Sequence, residues 1–405
     1  MTSLTDLLHQ PREQLLAQAE ERGVAIRPHL QQDEVVAELI TDYLKREERV
    51  TTDGVLTVLP DGFGFVRMLS YSFTATAIDA YVSPNQIRSL NLQTGHRICG
   101  PLRAPRGSER FFALSHIDLV QDTKPEDLRD VTVFEARTPI VATRALSWCA
   151  EDSKDQTLRS LQALAPIRYG HRVLLHAPSQ WPRTSILTRT ARSLRHQHPE
   201  LNITICAIDQ RPEDISSMRA ALSDHRCDIV TAAFAAPPEQ MVSITELALQ
   251  HTKRHVEHGQ DAVLLIDSLT ALTRARSRSS APSGAWIQPG LDAHAILKAK
   301  QLFAQARLCA EGGSLTILAT IDQGEPGTIN GAIEREFATY TNSDIVVTDL
   351  GDREDEHTLL FDPISTRTRP EDDPTPSADR GKLQRLRRDL AALPAQQRAT
   401  DRLGI

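Results

Sequence analysis

The sequence predicts an α/β chain of several domains: a small N-terminal helical cap, a small antiparallel β-barrel, and a larger domain with a mostly parallel sheet. Three observations carry this. Apolar residues recur at helical spacing near the start. Short strands broken by Gly, Pro, Asn and Asp fill the next stretch. Beyond Leu158, continuous apolar runs alternate with longer amphipathic segments, as buried parallel strands with crossover helices do. A chain of 405 residues has room for two or three such domains.

Residues 1–48 are expected to form small helices. Val35, Val36, Leu39, Ile40, Tyr43 and Leu44 share a helical face, and Asp33 is placed to cap or complement the helix start. Residues 49–121 read as the barrel, with strands at Val55–Leu59, Gly64–Val66, Ala80–Val82 and Phe111–Leu114. Residues 122–153 read as a charged linker. Residues 154–370 hold the parallel sheet, with strands at Arg172–Leu175, Ile203–Ile208, Ala262–Ile266 and Ser314–Ala319. Residues 371–405 form a polar and basic tail, in which a proline-rich break, Pro370 to Ser377, precedes a basic helix over Lys382–Leu393.

Hydrophobic residues make up 40% of the chain and charged ones 24%, a globular balance. The net charge of −7 excludes a chain that is basic throughout, so a nucleic-acid surface must be local. Between Gly62 and His116 six arginines (67, 88, 97, 103, 106, 110) face two acids, Asp79 and Glu109. The cysteines at 99, 149, 206, 227 and 309 include no C-x-x-C pair. That argues against zinc or a disulfide framework and fits a reducing compartment. The opening Met1-Thr-Ser-Leu-Thr-Asp6 has no basic run leading into an apolar core, so no signal peptide is expected. No apolar run approaches the roughly 18 residues of a membrane span. A cytoplasmic protein without membrane contact is expected.

In Asp61-Gly-Phe-Gly-Phe-Val-Arg67 the phenylalanines are two apart and point to one face of a strand. Arg67 shares that face, and Gly64 clears room beside the rings. Exposed aromatics on a barrel stack unpaired bases, at roughly 1–3 kcal/mol each. The alternation also fits two core phenylalanines, and pattern alone does not choose. The further segments Tyr81-Val-Ser-Pro-Asn-Gln-Ile-Arg88, Asn91-Leu-Gln-Thr-Gly95 and Gly107-Ser-Glu-Arg-Phe-Phe-Ala-Leu114 bear on the choice through a resemblance that favours stacking. Together these stretches resemble the N-terminal barrel of the bacterial transcription terminator Rho. In that family the barrel is a cold-shock-like OB fold preferring cytosine-containing single strands. The resemblance implies an RNA site of Phe63, Phe65 and Arg67 on one side. On the other it implies Asp79, Tyr81, Glu109, Arg110 and Phe111. Phe111 stands where the family usually has tyrosine, which keeps the stacking surface and loses a hydroxyl. Carboxylates such as Glu109 and Asp79 can accept from the cytosine amino group.

The resemblance continues to about Arg388. Arg211-Pro-Glu-Asp214, Asp267-Ser-Leu-Thr270, Pro282-Ser-Gly284, Leu291-Asp-Ala293 and Glu311-Gly-Gly-Ser-Leu-Thr316 mark a RecA-like domain of the P-loop NTPase type. In that family six such domains form a ring with ATP between neighbours. Here the resemblance implies a degenerate motor. The phosphate loop reads Ala177-Pro-Ser-Gln-Trp-Pro-Arg-Thr184. Pro182 replaces a glycine, and proline has no N–H to donate. Trp181 replaces a small residue and Gln180 a second lysine. Arg183 replaces the essential lysine, whose compact ammonium a planar guanidinium does not reproduce. Gln210 occupies the position of the glutamate that activates water, and an amide is no base near neutral pH. Thr184, Arg211 and the Walker-B-like Asp267 are kept. Phe361 matches the aromatic that stacks on adenine, or is a core residue. Arg367 or Arg369 aligns with the arginine finger. No catalytic set is intact, so no cofactor is required. Residual ATP and Mg²⁺ binding would fall to Arg183, Thr184, Arg211, Asp267, Phe361 and Arg369. The channel loops are changed too: Ala285 stands for a lysine, and Gly324-Glu-Pro-Gly-Thr328 has lost a lysine and gained an acid.

Two other features carry less. His251, His255 and His258 share a helical face that could hold a metal but reads better as a solvated surface, so no metal site is assigned. Arg274 to Ser280 reads as a mobile solvated loop. The sequence thus leads to a Rho paralogue without ATPase activity, which binds single-stranded C-rich RNA, Rho itself, or both. It would act on termination, with Rho and the transcription machinery as candidate partners, as a homo-oligomer or as a mixed oligomer with Rho. Two alternatives stay open: an active RNA-dependent NTPase and translocase that terminates transcription, and an RNA-binding protein unrelated to termination.

Overall fold

The computed structural model describes residues 2–128, 131–150, 152–179, 183–223, 226–347, 361–373 and 381–389, without 383 and 386. The chain divides into two compact units, residues 1–132 with 249–254 and residues 133–248 with 255–405.

The first unit opens with helices Leu4–Leu8, Arg12–Glu21 and Gln32–Lys45. Val35, Val36, Leu39 and Ile40 are fully buried, as their spacing requires. The cap of the third helix comes from Glu34, whose carboxylate accepts from the Gln31 N–H at 2.6 Å. Asp33 lies in the first turn, where its charge complements the helix dipole, and accepts from the Ala77 N–H at 3.1 Å.

The barrel runs Val50–Val58, Gly64–Arg67, Ala80–Val82, Phe112–Leu114 and Arg97–Arg103, and closes where the last strand pairs with the first. Gly54↔Ile98 and Leu56↔Val66 illustrate the antiparallel register on the two sides of the first strand. Leu56, Val66, Ala80, Val82, Ile98, Leu102, Phe112 and Leu114 share one core with the helices. Gly64 faces inward, where a Cβ would come within 2.7 Å of the Thr57 carbonyl oxygen, so it serves close strand pairing rather than the rings beside it. The strand Arg97–Arg103 escaped the sequence reading because Gly100 and Pro101 read as breakers. The short helix Pro84–Ser89 was also missed, although Ser83 and Gln86 form a capping box around Pro84.

In the second unit the sheet order is Cys227–Ala233, Asn202–Gln210, Asp261–Asp267, Ser314–Asp322, Arg172–Ala177 and Ser343–Val346, all parallel, then Arg367–Thr368 antiparallel. Helices Arg183–Gln197, Pro212–Ala221, Pro238–Glu257, Leu269–Ser279, Ala293–Phe303 and Ile329–Ala338 connect the strands. The strands therefore deliver Ala177, Gln210, Asp267 and Asp322 to one edge of the sheet, where α/β folds place their sites.

Several expectations need correction. The linker expected over 122–153 belongs largely to the second unit from Val133 onward. Pro139–Ile140 pairs with Arg307–Cys309, and Ala145–Leu146 pairs with Ile167–Arg168. Phe134 and Trp148 are fully buried, and the Phe134 N–H donates to Glu257 at 2.6 Å. Arg274–Ser280 is no loop: residues up to Ser279 are helical, and Arg276 is buried with an ion pair to Glu246 at 2.8 Å. The helix of the three histidines is not solvated, since His251 is buried and Thr252, Lys253, Arg254 and Glu257 with it. In the tail, the expected basic helix is helical up to residue 389 among the described residues, and its last residues lie outside them.

Candidate nucleic-acid interface and nucleotide site

Alternation along Gly64–Arg67 buries Gly64 and Val66 and turns Phe65 and Arg67 outward, with Phe63 just before them. None of the three belongs to the barrel core, which removes the alternative of core phenylalanines. Phe65 pairs with Tyr81 across the strands. Phe63 lies 5.9 Å from Phe65 and 5.6 Å from Tyr81, between ring centroids. Phe65 lies 6.1 Å from Tyr81 and 4.9 Å from Phe111. Phe111 is 45% exposed, an unusual state for so large an apolar side chain. The rings thus form one continuous patch.

Charged groups frame it. Arg67 lies 5.6 Å from the Phe65 centroid and is ion-paired with Asp79. Asp79 is only 2% exposed, and its oxygens also accept from the Thr76 N–H at 3.0 Å and hydroxyl at 2.8 Å. Burial pushes its carboxyl up, against the opposing pull of Arg67 and Thr76. Asp79 is therefore held by Arg67 and Thr76 beside the patch. Glu109 is exposed, and the guanidinium of Arg103 grips it at 2.6 and 2.9 Å. That hydrogen bonding, with help from the Arg106 N–H at 2.9 Å, holds the Glu109 carboxyl down at about 2. Arg110 is exposed beside it. Arg103 and Thr76 were missed by sequence reasoning; a basic residue six positions before Glu109 was the available signal for Arg103.

At the sheet edge of the second unit, Arg183 and Thr184 open the helix Arg183–Gln197. The Arg183 guanidinium pairs with Asp322, and its Nε lies 3.7 Å from Asp267 Oδ1. The Thr184 hydroxyl lies 3.0 Å from Gln210 Oε1 and 3.1 Å from Asp267 Oδ2. Thr320 donates to Asp267 Oδ1 at 2.7 Å. Asp267 is fully buried, and burial pushes its carboxyl up while Arg183 and the two threonines pull the other way. The Gln210 amide donates to the Ile208 carbonyl at 2.9 Å. A cleft of about 490 Å³ lies beside these residues, between helices Arg183–Gln197 and Pro212–Ala221. Arg183, Thr184, Gln210 and Arg211 are on its walls. Phe361 is fully buried in the core of the unit. Arg369 donates to the Thr339 carbonyl at 2.7 Å at a helix end, whereas Arg367 is exposed. Gln180, Trp181 and Pro182 lie outside the described residues. Asp322 and Thr320 were missed, although an apolar strand ending in Asp at this edge repeats the pattern that singled out Asp267.

A barrel with an exposed aromatic patch, joined to a domain of the nucleotide-binding type, defines the class of protein. Residues 52–126 match the family model described as Rho termination factor, RNA-binding domain, and residues 157–352 match that of the ATP synthase alpha/beta family, nucleotide-binding domain. The chain is 36% identical to the transcription termination factor Rho of Pseudomonas fluorescens biotype C over 345 residues, 85% of this chain and 82% of the relative. It is 35% identical to that of Escherichia coli K12 over 347 residues, with 85% and 82% covered. The chain belongs to the transcription termination factor Rho family. Among solved structures, an ATPase of the type III secretion system of pathogenic bacteria aligns with a TM-score of 0.52 at 17% identity, covering 72% of this chain and 78% of that one. The ATP synthase subunit NeqB of Nanoarcheaum equitans aligns equally, at 0.52 and 14%, covering 72% and 66%. These two likenesses concern the fold. Among the described residues no helix is long and apolar enough to cross a membrane.

Proposed function

We propose that this chain is an RNA-binding Rho-family protein that does not turn over ATP and that restrains termination by an authentic Rho. One observation carries the reading: the four rings form a continuous patch outside the barrel core, with Phe111 exposed, while the residue in the position of the water-activating glutamate is an amide, Gln210, held by Thr184 and its own strand. Unpaired, cytosine-containing RNA is the ligand. Its bases stack on Phe63, Phe65, Tyr81 and Phe111. Arg67 and Arg110 meet phosphates or base edges, and Glu109, ionised and fixed by Arg103, accepts from the cytosine amino group. Inhibition follows in one of two ways. The barrel competes with Rho for C-rich loading sites, or the second unit enters a mixed ring and interrupts sequential firing. The protein acts where Rho acts, in the cytoplasm.

A second reading, an active RNA-dependent NTPase, is favoured by the retained Thr184, Arg211 and Asp267. One experiment separates them. The purified protein, alone and mixed with active Rho, is assayed for RNA-stimulated ATPase and for termination. ATP hydrolysis by the chain alone would replace the first reading with the second.

A further inference from the structure

Resting on the reading that this chain works without ATP hydrolysis, we propose that Arg183 is a built-in plug. Its guanidinium occupies the place that Mg²⁺ and a nucleotide phosphate would fill at the sheet edge. The chain thereby carries its own counter-ion and has no nucleotide requirement.

The argument starts from two carboxylates. Asp267 and Asp322 end neighbouring parallel strands, and both are buried, at 0% and 7% exposure. Buried carboxylates need a cation close by, because an unpaired charge in a dry site is costly. In a nucleotide site the cation is the metal, and the lysine of the loop faces the phosphates. In this chain Arg183 turns back onto the strand ends and supplies the positive charge to both acids. The hydroxyls complete the arrangement. Thr320 and Thr184 reach the two Asp267 oxygens at 2.7 and 3.1 Å, and Asn330 lies 3.5 Å from Asp322 Oδ2.

The donor set does not fit Mg²⁺ with nucleotide. A guanidinium offers five N–H donors and no acceptor, so it excludes a cation rather than binding one. Mg²⁺ demands a near-octahedral shell of oxygens, several of them water. The one hydroxyl kept for it, that of Thr184, is shared with Gln210 at 3.0 Å. The open space lies beside Arg183 and Thr184 rather than over the two carboxylates. The cleft of about 490 Å³ has neither Asp267, Asp322 nor Phe361 on its walls. Lysine at this position would leave the same acids to a metal; arginine, longer and forked, reaches them.

The test is the thermal unfolding midpoint of the full chain with Mg²⁺ or Mn²⁺ alone and with Mg²⁺ and ADP. A ligand that binds only the folded state raises the midpoint by mass action, so ADP at ~1 mM should shift the wild type by less than about 1 °C. Arg183→Ala should unfold at a lower temperature and recover part of the loss in Mn²⁺ or Mg²⁺, because the vacated place is lined by Asp267, Asp322 and two threonine hydroxyls. If Arg183→Ala alone does not fold, adding Asp267→Asn, which removes one of the two charges, should restore folding. Failure of that double variant would count against the plug. So would Arg183→Ala unfolding at the wild-type temperature and ignoring divalent ions. Wild type stabilised by several degrees with Mg²⁺ and ADP, yet without turnover, overturns the plug and leaves the ATP-independent reading standing. Wild type that hydrolyses ATP overturns both.

Discussion

Phe65 and Phe111 meet edge to face with ring centroids 4.9 Å apart, closing a patch that no single strand supplies. Phe65 is held by the strand Gly64–Arg67, and Phe111 stands at the entry to Phe112–Leu114. Inward neighbours Val66 and Phe112 are buried, so neither ring can turn into the core without exposing another apolar side chain. Barrel packing therefore fixes the outward surface.

Phe63→Ala with Phe65→Ala should weaken binding of oligo(C) by a few kcal/mol, since each stack contributes roughly 1–3 kcal/mol. The barrel should stay folded, because neither ring is part of its core. Fluorescence anisotropy at physiological salt reads the affinity, and circular dichroism reads the fold. Equal affinities for wild type and double variant would remove the platform from the RNA site.

Gln210→Glu alone should not restore ATP hydrolysis. On the proposed reading the amide stands at the base position, but Arg183 still pairs with Asp322 and lies against Asp267. RNA-stimulated phosphate release should stay at background for wild type and variant alike. A robust rate in wild type that Asp267→Ala abolishes would show a working motor.

His176 gives the second unit a pH signature. Its ring nitrogens lie 2.7 Å from Glu334 Oε1 and 3.0 Å from Asp344 Oδ1. Burial alone would lower its pKa, but the hydrogen bonds to Asp344 and Glu334 outweigh it and push the imidazole up to about 9, from an ordinary 6.5. A raised folded pKa stabilises fully below 6.5, and that stability fades as pH rises through 9. The interval corresponds to at most about 3 kcal/mol. Urea unfolding of the wild type should lose stability between those limits, and His176→Gln should flatten the dependence. Parallel pH profiles for the two proteins would remove His176 as the source.

Much of this was legible because local pattern and global fold agree. Apolar runs at 172–175, 203–208, 262–266 and 314–319 became central parallel strands, since buried strands need no alternation. The strand Arg97–Arg103 was not legible, because Gly100 and Pro101 look like breakers until the barrel closure that needs them is known. Partnership was harder still. Asp79 and Glu109 are both acids of the basic stretch, yet one is buried under Arg67 and the other exposed under Arg103, and no spacing rule separates them. Arg183 reads as a damaged lysine in sequence. Only the strand ends at Asp267 and Asp322 give its guanidinium a destination.

Added to an authentic Rho, the protein should lower both RNA-dependent ATPase and termination. The two routes separate through the platform. Competition for loading sites needs Phe63 and Phe65, so their double alanine variant should lose inhibition. Excess C-rich RNA should also relieve competition by the wild type. Co-assembly needs instead the framework of the second unit, whose six parallel strands among the described residues stand beside the altered site. A subunit that neither fires nor offers lysines at Ala285 and in Gly324–Thr328 would stall a ring whatever its barrel binds. In that case the double variant should inhibit as well as wild type, and inhibition should rise steeply with the fraction of this chain in the mixture. Size-exclusion chromatography of the mixture reads the complex directly. If a molar excess changes neither the ATPase rate nor termination, and no mixed species elutes, then this chain does not regulate Rho.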